Sequence, residues 1–223
     1  MSVMTLPNLL LAFATFRQKF QPEWFAHIHS HGHATARLAR SFAASCEKRI
    51  TKKALDEIEF AAYMHDIGKY LVPKHILLKQ GPLDPTERQV MSLHPIHGVE
   101  ILRDFPFVTP AIAQVVLCHH ERWDGTGYPH GRADMSIPFA ARVVTIADVY
   151  TSLRARRPYK PPLSREGAYA VLKKMAGYEL DPHMVHDFLK SLEGPVTMRI
   201  AKPPTSEELA YSSLIRETLR VVL

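Results

Sequence analysis

Phe60-Ala-Ala-Tyr-Met-His-Asp-Ile-Gly-Lys69 is the stretch on which the reading of this 223-residue chain turns. Its first half closes a helical segment over 51–64, which opens at Thr51, a plausible N-cap before the helix formers Lys52-Lys-Ala-Leu55. Its second half leaves an imidazole and a carboxylate side by side where that helix ends. Adjacent His65 and Asp66 let one residue serve one metal ion while the carboxylate bridges to a second. Alone, the pair is weak, because a helix-terminal histidine beside an ordinary surface aspartate has the same spelling.

Outward from it, the chain reads as helix after helix. Leu9, Leu10, Phe13, Phe16 and Phe20 predict a helix over 8–20, and further patterns predict helices over 24–45, 86–103, 109–120, 138–153, 164–175 and 182–193. A last helix opens at the cap-like Thr205-Ser-Glu-Glu208 and runs toward Leu223. Pro73, Gly81-Pro82 and Asp84-Pro85 break the chain into loops. No alternating apolar and polar series of any length is present, so the expected fold is all-α. It is a single-domain helical bundle with Gly/Pro/Arg-rich loops inserted at 121–137 and 154–163. The expected organisation is an N-terminal helix over 1–22, a main domain over 23–195, and a C-terminal linker and helix over 196–223.

Composition narrows the class of function. With 46% hydrophobic and 22% charged residues, the chain can bury a substantial core under an ordinary surface, and no low-complexity block or repeat divides it. A net charge of +6 favours anionic partners: nucleic acid, an acidic surface or a phosphorylated small molecule. Cys46 and Cys118 are too few for a disulfide framework and read as thiols of a reducing, cytoplasmic compartment. The apolar run Leu9 to Ala14 is too short to span a bilayer and no Lys or Arg precedes it, so no membrane insertion is expected. The anomaly is thirteen histidines, a residue type that both ligates metals and carries protons.

Further groups join the His65-Asp66 pair. His119-His120 is followed by Glu121-Arg-Trp-Asp-Gly-Thr-Gly-Tyr-Pro129; neighbouring imidazoles at a helix end point different ways unless something such as a metal centre draws both inward. His94 opens His-Pro-Ile-His-Gly98, with Pro95 suited to a first helical turn, and His97 reads as structural. Asp148 stands in the apolar run Val143-Val-Thr-Ile-Ala-Asp-Val-Tyr150, where a buried carboxylate needs a cation or donors. Upstream, His27, His31, Thr35, Leu38 and Phe42 share one helical face, and His29, His33, Arg37 and Arg40 another. The first face carries the apolar residues and is expected inward, which makes His31 the candidate ligand and turns His29 and His33 to water. Arg154, Arg156, Arg157 and Lys160 form a basic loop without interleaved aromatics or a recognition helix, which suits a small anion better than a nucleic-acid polymer.

Together these strings resemble the HD-GYP family, the cyclic di-GMP phosphodiesterase branch of the HD superfamily. The resemblance is carried by His65-Asp-Ile-Gly-Lys69, His94-Pro95, His119-His120-Glu121, Asp124-Gly-Thr-Gly-Tyr-Pro129, Ala147-Asp-Val-Tyr150 and Arg157-Pro-Tyr-Lys160, in order over residues 24–195. It implies a helical bundle of the HD-superfamily type, with the catalytic domain at 23–195. It implies one metal ion held by His31, His65, Asp66 and Asp148, and a second held by His94, His119 and His120, with Asp66 bridging. Mixed imidazole and carboxylate donors suit iron or manganese. Asp66 and Lys69 are then the catalytic residues, with Lys69 beside the scissile phosphate. Gly127 and Tyr128 would shape the pocket, and Arg157 and Lys160 would contact the phosphates or guanine of the ligand. The implied reaction is hydrolysis of cyclic di-GMP to linear pGpG, and onward to GMP, by metal-activated water.

Departures from the family pattern leave alternatives open. Members with a third metal place a glutamate one turn before the first histidine ligand; here that position is His27, a poorer ligand, so a third ion stays open. The upstream connector is longer than usual if His31 is the ligand, which keeps His33 as the alternative. Thr151-Ser152 replaces a frequent Asp-Ala. A cyclic GMP-AMP preference, or a low-turnover nucleotide receptor acting through a protein partner, would use the same residues. The apolar faces of 1–22 and 205–223 read first as packing on the same chain, with a second copy or a signalling protein as the alternatives.

Overall fold

The computed structural model describes residues 22–155 and 161–193, with side chains from His31 onward. The helices expected over 8–20 and 205–223, the side chains of His27 and His29, and Arg156, Arg157 and Lys160 lie outside the described residues. Nine α-helices follow one another among those described: α1 (Pro22–Cys46), α2 (Lys52–Met64), α3 (Lys74–Leu77), α4 (Pro85–Met91), α5 (His94–Leu102), α6 (Pro110–Cys118), α7 (Phe139–Arg154), α8 (Arg165–Met175) and α9 (Pro182–Glu193). No strand occurs among the described residues, only an isolated bridge between Ala176 and Leu180. The all-α expectation holds. The chain divides into two compact units, Met1–Ser191 and Leu192–Leu223, and the candidate site lies in the first. Among the described residues no helix is long and apolar enough to cross a membrane.

Local chemistry sets the helix starts. The Thr51 side chain accepts from the Ala54 N–H at 3.1 Å, as its position predicts. Thr109 caps α6 ahead of Pro110, and Ser164 caps α8 through the Gly167 N–H. Asp84 forms a reciprocal capping box with Glu87, with Pro85 in the first turn, so the expected loop break is also the start of α4. Each such cap is worth about 1 kcal/mol.

One expected helix is two. The pattern over 86–103 breaks at Ser92-Leu93 into α4 and α5. Pro95 has no N–H to give the Met91 carbonyl, and the Nδ1–H of His94 takes that carbonyl instead, at 2.8 Å. The short 3-10 turns at Ile67–Leu71 and Asp134–Ser136, and α3, also go beyond the sequence expectation.

The core runs between α1, α2, α6 and α7, with α8 packed on α7 and Phe188 of α9 set against Phe42 and Tyr150. Phe42, Phe60, Phe188, Met64, Leu102, Ile146 and Leu172 are fully buried, and the rings of Phe42 and Phe188 meet edge to face at 4.9 Å. Each such side chain contributes roughly 1.5–3 kcal/mol. Of the face of α1 expected inward, Thr35 and Phe42 are buried, joined by Ala36, Ala39 and Ala43, while His31 and Leu38 are half-buried. The second face is not wholly turned to water. Arg37 is exposed, but Arg40 reaches Asp56 at 2.6 Å and Glu59 at 2.9 Å, and the His33 ring lies edge-on to Tyr63 at 4.8 Å. The acidic and aromatic residues of α2 make that face a helix contact.

Two glycines decide where the site forms. A Cβ on Gly68 would collide with the His94 carbonyl oxygen and the Gly98 nitrogen, and one on Gly98 would reach Val116 Cγ1 at 2.8 Å. The Ile67–Leu71 turn therefore packs backbone to backbone on α5. That approach brings His94 beside Asp66.

Candidate metal centre

Three buried histidines are built the same way. His65 and His119 cap the C-termini of α2 and α6, and His94 follows the break after α4. The Nδ1 of each lies against the carbonyl three residues earlier: Ala62 at 2.6 Å, Met91 at 2.8 Å and Val116 at 2.7 Å. A carbonyl only accepts, so each Nδ1 carries a proton and donates it, and in the neutral form of such a ring Nε2 is a lone pair pointing inward. All three residues are 1% exposed. Orienting a ring through its second nitrogen is the usual support of a metal-ligating histidine.

Asp66 lies at the centre of these nitrogens. Its Oδ2 is 2.6 Å from Lys69 Nζ and 3.5 Å from His65 Nε2. Its Oδ1 faces the other way, 3.4 Å from His94 Nε2 and 3.9 Å from His119 Nε2. Burial alone would raise the carboxyl pKa, but Lys69 and the His65, His94 and His119 rings hold it well below the usual carboxylate range. Lys69 thus lies beside Asp66 and is paired with it.

His31 and Asp148 meet across α1 and α7, His31 Nε2 lying 2.7 Å from Asp148 Oδ1. The same oxygen is 3.7 Å from His65 Nε2 and accepts from the Ser152 hydroxyl at 3.4 Å. Burial would raise the Asp148 carboxyl, but His31 and His65 bring it below its ordinary value. Asp148 is less buried than its apolar helix suggests. Its side chain is 18% exposed and opens on a cleft of about 260 Å³ lined by Val149, Ser152, Leu153, Ala155, Pro161 and Met175. His33, packed on Tyr63, belongs to neither donor group.

The helix end at His119 lets both neighbouring imidazoles turn inward. The His120 ring is 4.9 Å from that of His94 and stacks on Tyr128 at 4.8 Å and 29°. Burial, then its histidine neighbours, pushes the His119 pKa well below its ordinary value; burial, then His94, pushes His120 down to about 3. Burial takes His94 down to about 4. These rings are therefore neutral at pH 7. Burial, reinforced by Asp66 and Asp148, raises the Tyr128 hydroxyl pKa and keeps it protonated.

The loop after His120 is fastened by residues to which sequence reasoning gives no role. Glu121, 2% exposed, accepts from the His130 N–H through Oε1 and from the Arg132 N–H through Oε2, both at 2.9 Å. Trp123 and Asp124 donate their N–H groups to the carbonyls of Glu179 and Tyr178, tying the loop to the turn between α8 and α9. A Cβ on Gly127 would stand 2.6 Å from the His120 carbonyl oxygen and 2.7 Å from the Glu121 carbonyl carbon, so only glycine fits. Tyr128 donates its N–H to the His120 carbonyl at 3.2 Å, and the Thr145 hydroxyl lies 2.9 Å from the His119 carbonyl. A buried glutamate directly after two inward histidines was the available signal for this anchor.

These donors fit a metal. Asp66, His94, His119 and His120 offer ligand atoms within 4.8 Å of one another, as do His31, His65 and Asp148. His65 Nε2 and Asp66 Oδ1 are buried without a hydrogen-bond partner. Sharper still, His94 Nε2 and His119 Nε2 lie 3.2 Å apart. With both Nδ1 protons committed to carbonyls and both rings neutral, two lone pairs face each other, an arrangement that a cation between the donors relieves.

A family model described as HD domain matches residues 23–184. A cyclic di-GMP phosphodiesterase of Thermotoga maritima is 40% identical over 152 residues, 68% of this chain and 41% of that protein. A 3'3'-cGAMP-specific phosphodiesterase of Vibrio cholerae is 34% identical over 155 residues, 69% of this chain and 30% of its own length. The chain thus spans less than half of either relative. A solved HDG"Y"P protein from Bdellovibrio bacteriovorus shares the fold, with a TM-score of 0.60 at 20% identity over 75% of this chain and 53% of its own. With its matched segment covering most of its length, the chain belongs to the HD domain family, in keeping with the HD-GYP resemblance of its motifs.

Proposed function

We propose that this chain hydrolyses a phosphodiester bond of a cyclic dinucleotide, cyclic di-GMP foremost, at a centre of two divalent metal ions. The observation that carries the reading is the convergence of the neutral His94 and His119 nitrogens, 3.2 Å apart, on one oxygen of Asp66 while its other oxygen faces Lys69 and His65. In this reading His31, His65 and Asp148 would hold one ion and His94, His119 and His120 the other, with Asp66 between the two groups as a ligand that could serve both. Iron or manganese suits such a donor set. Such ions would supply an activated water and charge stabilisation for the reacting phosphate oxygens.

The chain's own residues do the remaining work. His94, His119 and His120, held neutral, need release no proton to ligate at neutral pH. Lys69 is close enough to Asp66 to exchange that partner for a phosphoryl oxygen on which charge builds. Tyr128 and Gly127 hold His120 in place and wall the pocket. The basic loop residues Arg157 and Lys160 complete the reading as anion contacts. The names of the relatives support both cyclic di-GMP and cyclic GMP-AMP as substrate, and the higher identity belongs to the cyclic di-GMP enzyme.

The test is turnover together with metal analysis, on protein purified without oxygen and supplied with iron or manganese. Formation of pGpG from cyclic di-GMP, faster than opening of cyclic GMP-AMP, is the expected result. Tight binding of either nucleotide with no product would sink the enzyme reading in favour of a receptor.

A further inference from the structure

The donor pair His31 and Asp148 comes from two different helices, so something must set the spacing of α1 and α7 at that level. One turn beyond His31 on α1 lies Thr35, fully buried at 0% exposure. Nearly one turn beyond Asp148 on α7 lies Thr151, and the two hydroxyls meet at 2.9 Å. Thr35 Oγ1 is also 3.1 Å from the His31 carbonyl. Thr151 Oγ1 is 2.9 Å from the Ala147 carbonyl and 3.0 Å from that of Asp148.

The four contacts share only two hydroxyl protons. Carbonyls cannot donate, so one proton lies between the hydroxyls and the other goes to the carbonyl of His31 or to those of Ala147 and Asp148. Either order joins the helices by a hydroxyl–hydroxyl bond whose chain of donors ends on a backbone carbonyl, that of His31 in one order and those of Ala147 and Asp148 in the other. Each hydroxyl also has carbonyl partners on its own helix, so losing the other threonine removes the bond between the helices without stranding the hydroxyl that remains.

We propose that Thr35 and Thr151 are positioning residues, a lock between α1 and α7 that holds His31 and Asp148 at ligating distance. The inference rests on the two-ion reading above and adds the device that shapes one half of it. A lock of this kind acts on one ion and leaves the His94, His119 and His120 group untouched.

The experiment titrates manganese into metal-free protein by calorimetry for the parent, Thr35→Val, Thr151→Val, the double valine variant and Thr151→Ser. Urea unfolding of the same metal-free proteins is measured in parallel. Each single valine should weaken one of two manganese sites by about 10- to 100-fold and spare the other. Thr151→Ser, which keeps the hydroxyl, should bind like the parent. In urea the double variant should lose less than the sum of the singles, because either single already removes the one bond that the two hydroxyls share. Valine variants that titrate like the parent, or urea effects that simply add, overturn the positioning role alone. A parent that takes up neither manganese nor iron overturns the two-ion reading and the positioning role with it.

Discussion

Replacing Glu121 with glutamine tests whether the loop that carries Gly127 and Tyr128 is held by a buried carboxylate. In the native protein each carboxylate oxygen accepts one backbone N–H, from His130 and Arg132, at 2.9 Å, on a residue 2% exposed. Glutamine keeps the shape but turns one oxygen into an NH2 group, so one backbone N–H then faces another donor. A hydrogen bond to a charged group is worth about 1.5–3 kcal/mol, and a buried N–H left unsatisfied costs a further 1–3 kcal/mol, with overlap between the two. The expected loss is therefore about 2–4 kcal/mol. At roughly 2–4 °C per kcal/mol for a domain of this size, the melting temperature should fall by about 4–16 °C. Trp123 sits in the same loop and reports the transition by fluorescence during urea unfolding. Metal content should fall less than stability, since Glu121 touches no donor nitrogen. A Glu121→Gln protein within about 0.5 kcal/mol of the parent, the range of ordinary surface changes, would refute the anchor.

Other expectations follow from the same geometry. Gly68→Ala pushes a Cβ into the backbone of His94 and Gly98 and should cost about 3 kcal/mol or more in urea unfolding, the top of the overpacking range; a neutral substitution would contradict the close approach. Tyr128→Ala removes the ring stacked on His120, so the affinity for one manganese ion should fall by roughly 2- to 10-fold, the equivalent of an aromatic pair worth about 0.5–1.5 kcal/mol; unchanged titration would refute it. The metal-free protein should also lose stability in acid. With His94 and His120 down to about 4 and about 3, the unfolded chain takes up protons near pH 6.5 that the folded chain refuses. Their contribution is thus complete above about pH 6.5 and drains away as the pH falls toward 4, by up to about 1.4 kcal/mol per pH unit for each ring. A flat urea midpoint across that window would show the rings are not held neutral.

The sequence spells the fold well because the helices end on readable chemistry. Thr51, Thr109 and Ser164 cap the helices that hydrophobic spacing predicts, and Thr51 is legible as such in advance. The one split, between α4 and α5, is hidden because 86–103 is apolar in helical rhythm throughout; the deciding fact is the missing N–H of Pro95 and a histidine side chain that replaces it. The donor groups were legible as separated strings, but their common tautomer was not, since it depends on carbonyls freed only where each helix ends. His33 and Arg40 read as solvent-facing by helical phase alone, and their partners Tyr63, Asp56 and Glu59 come from the neighbouring helix. Pairing across helices, as between Thr35 and Thr151, leaves no local signature.

Everything in the proposed mechanism passes through the Asp66 carboxylate, whose two oxygens face the two donor groups. The most direct measurement is therefore metal content and cyclic di-GMP hydrolysis on the same Asp66→Ala preparation, beside the parent. The account predicts two ions and turnover for the parent, and loss of metal and of hydrolysis together in the variant. An Asp66→Ala protein that keeps its metal and still produces pGpG would contradict it.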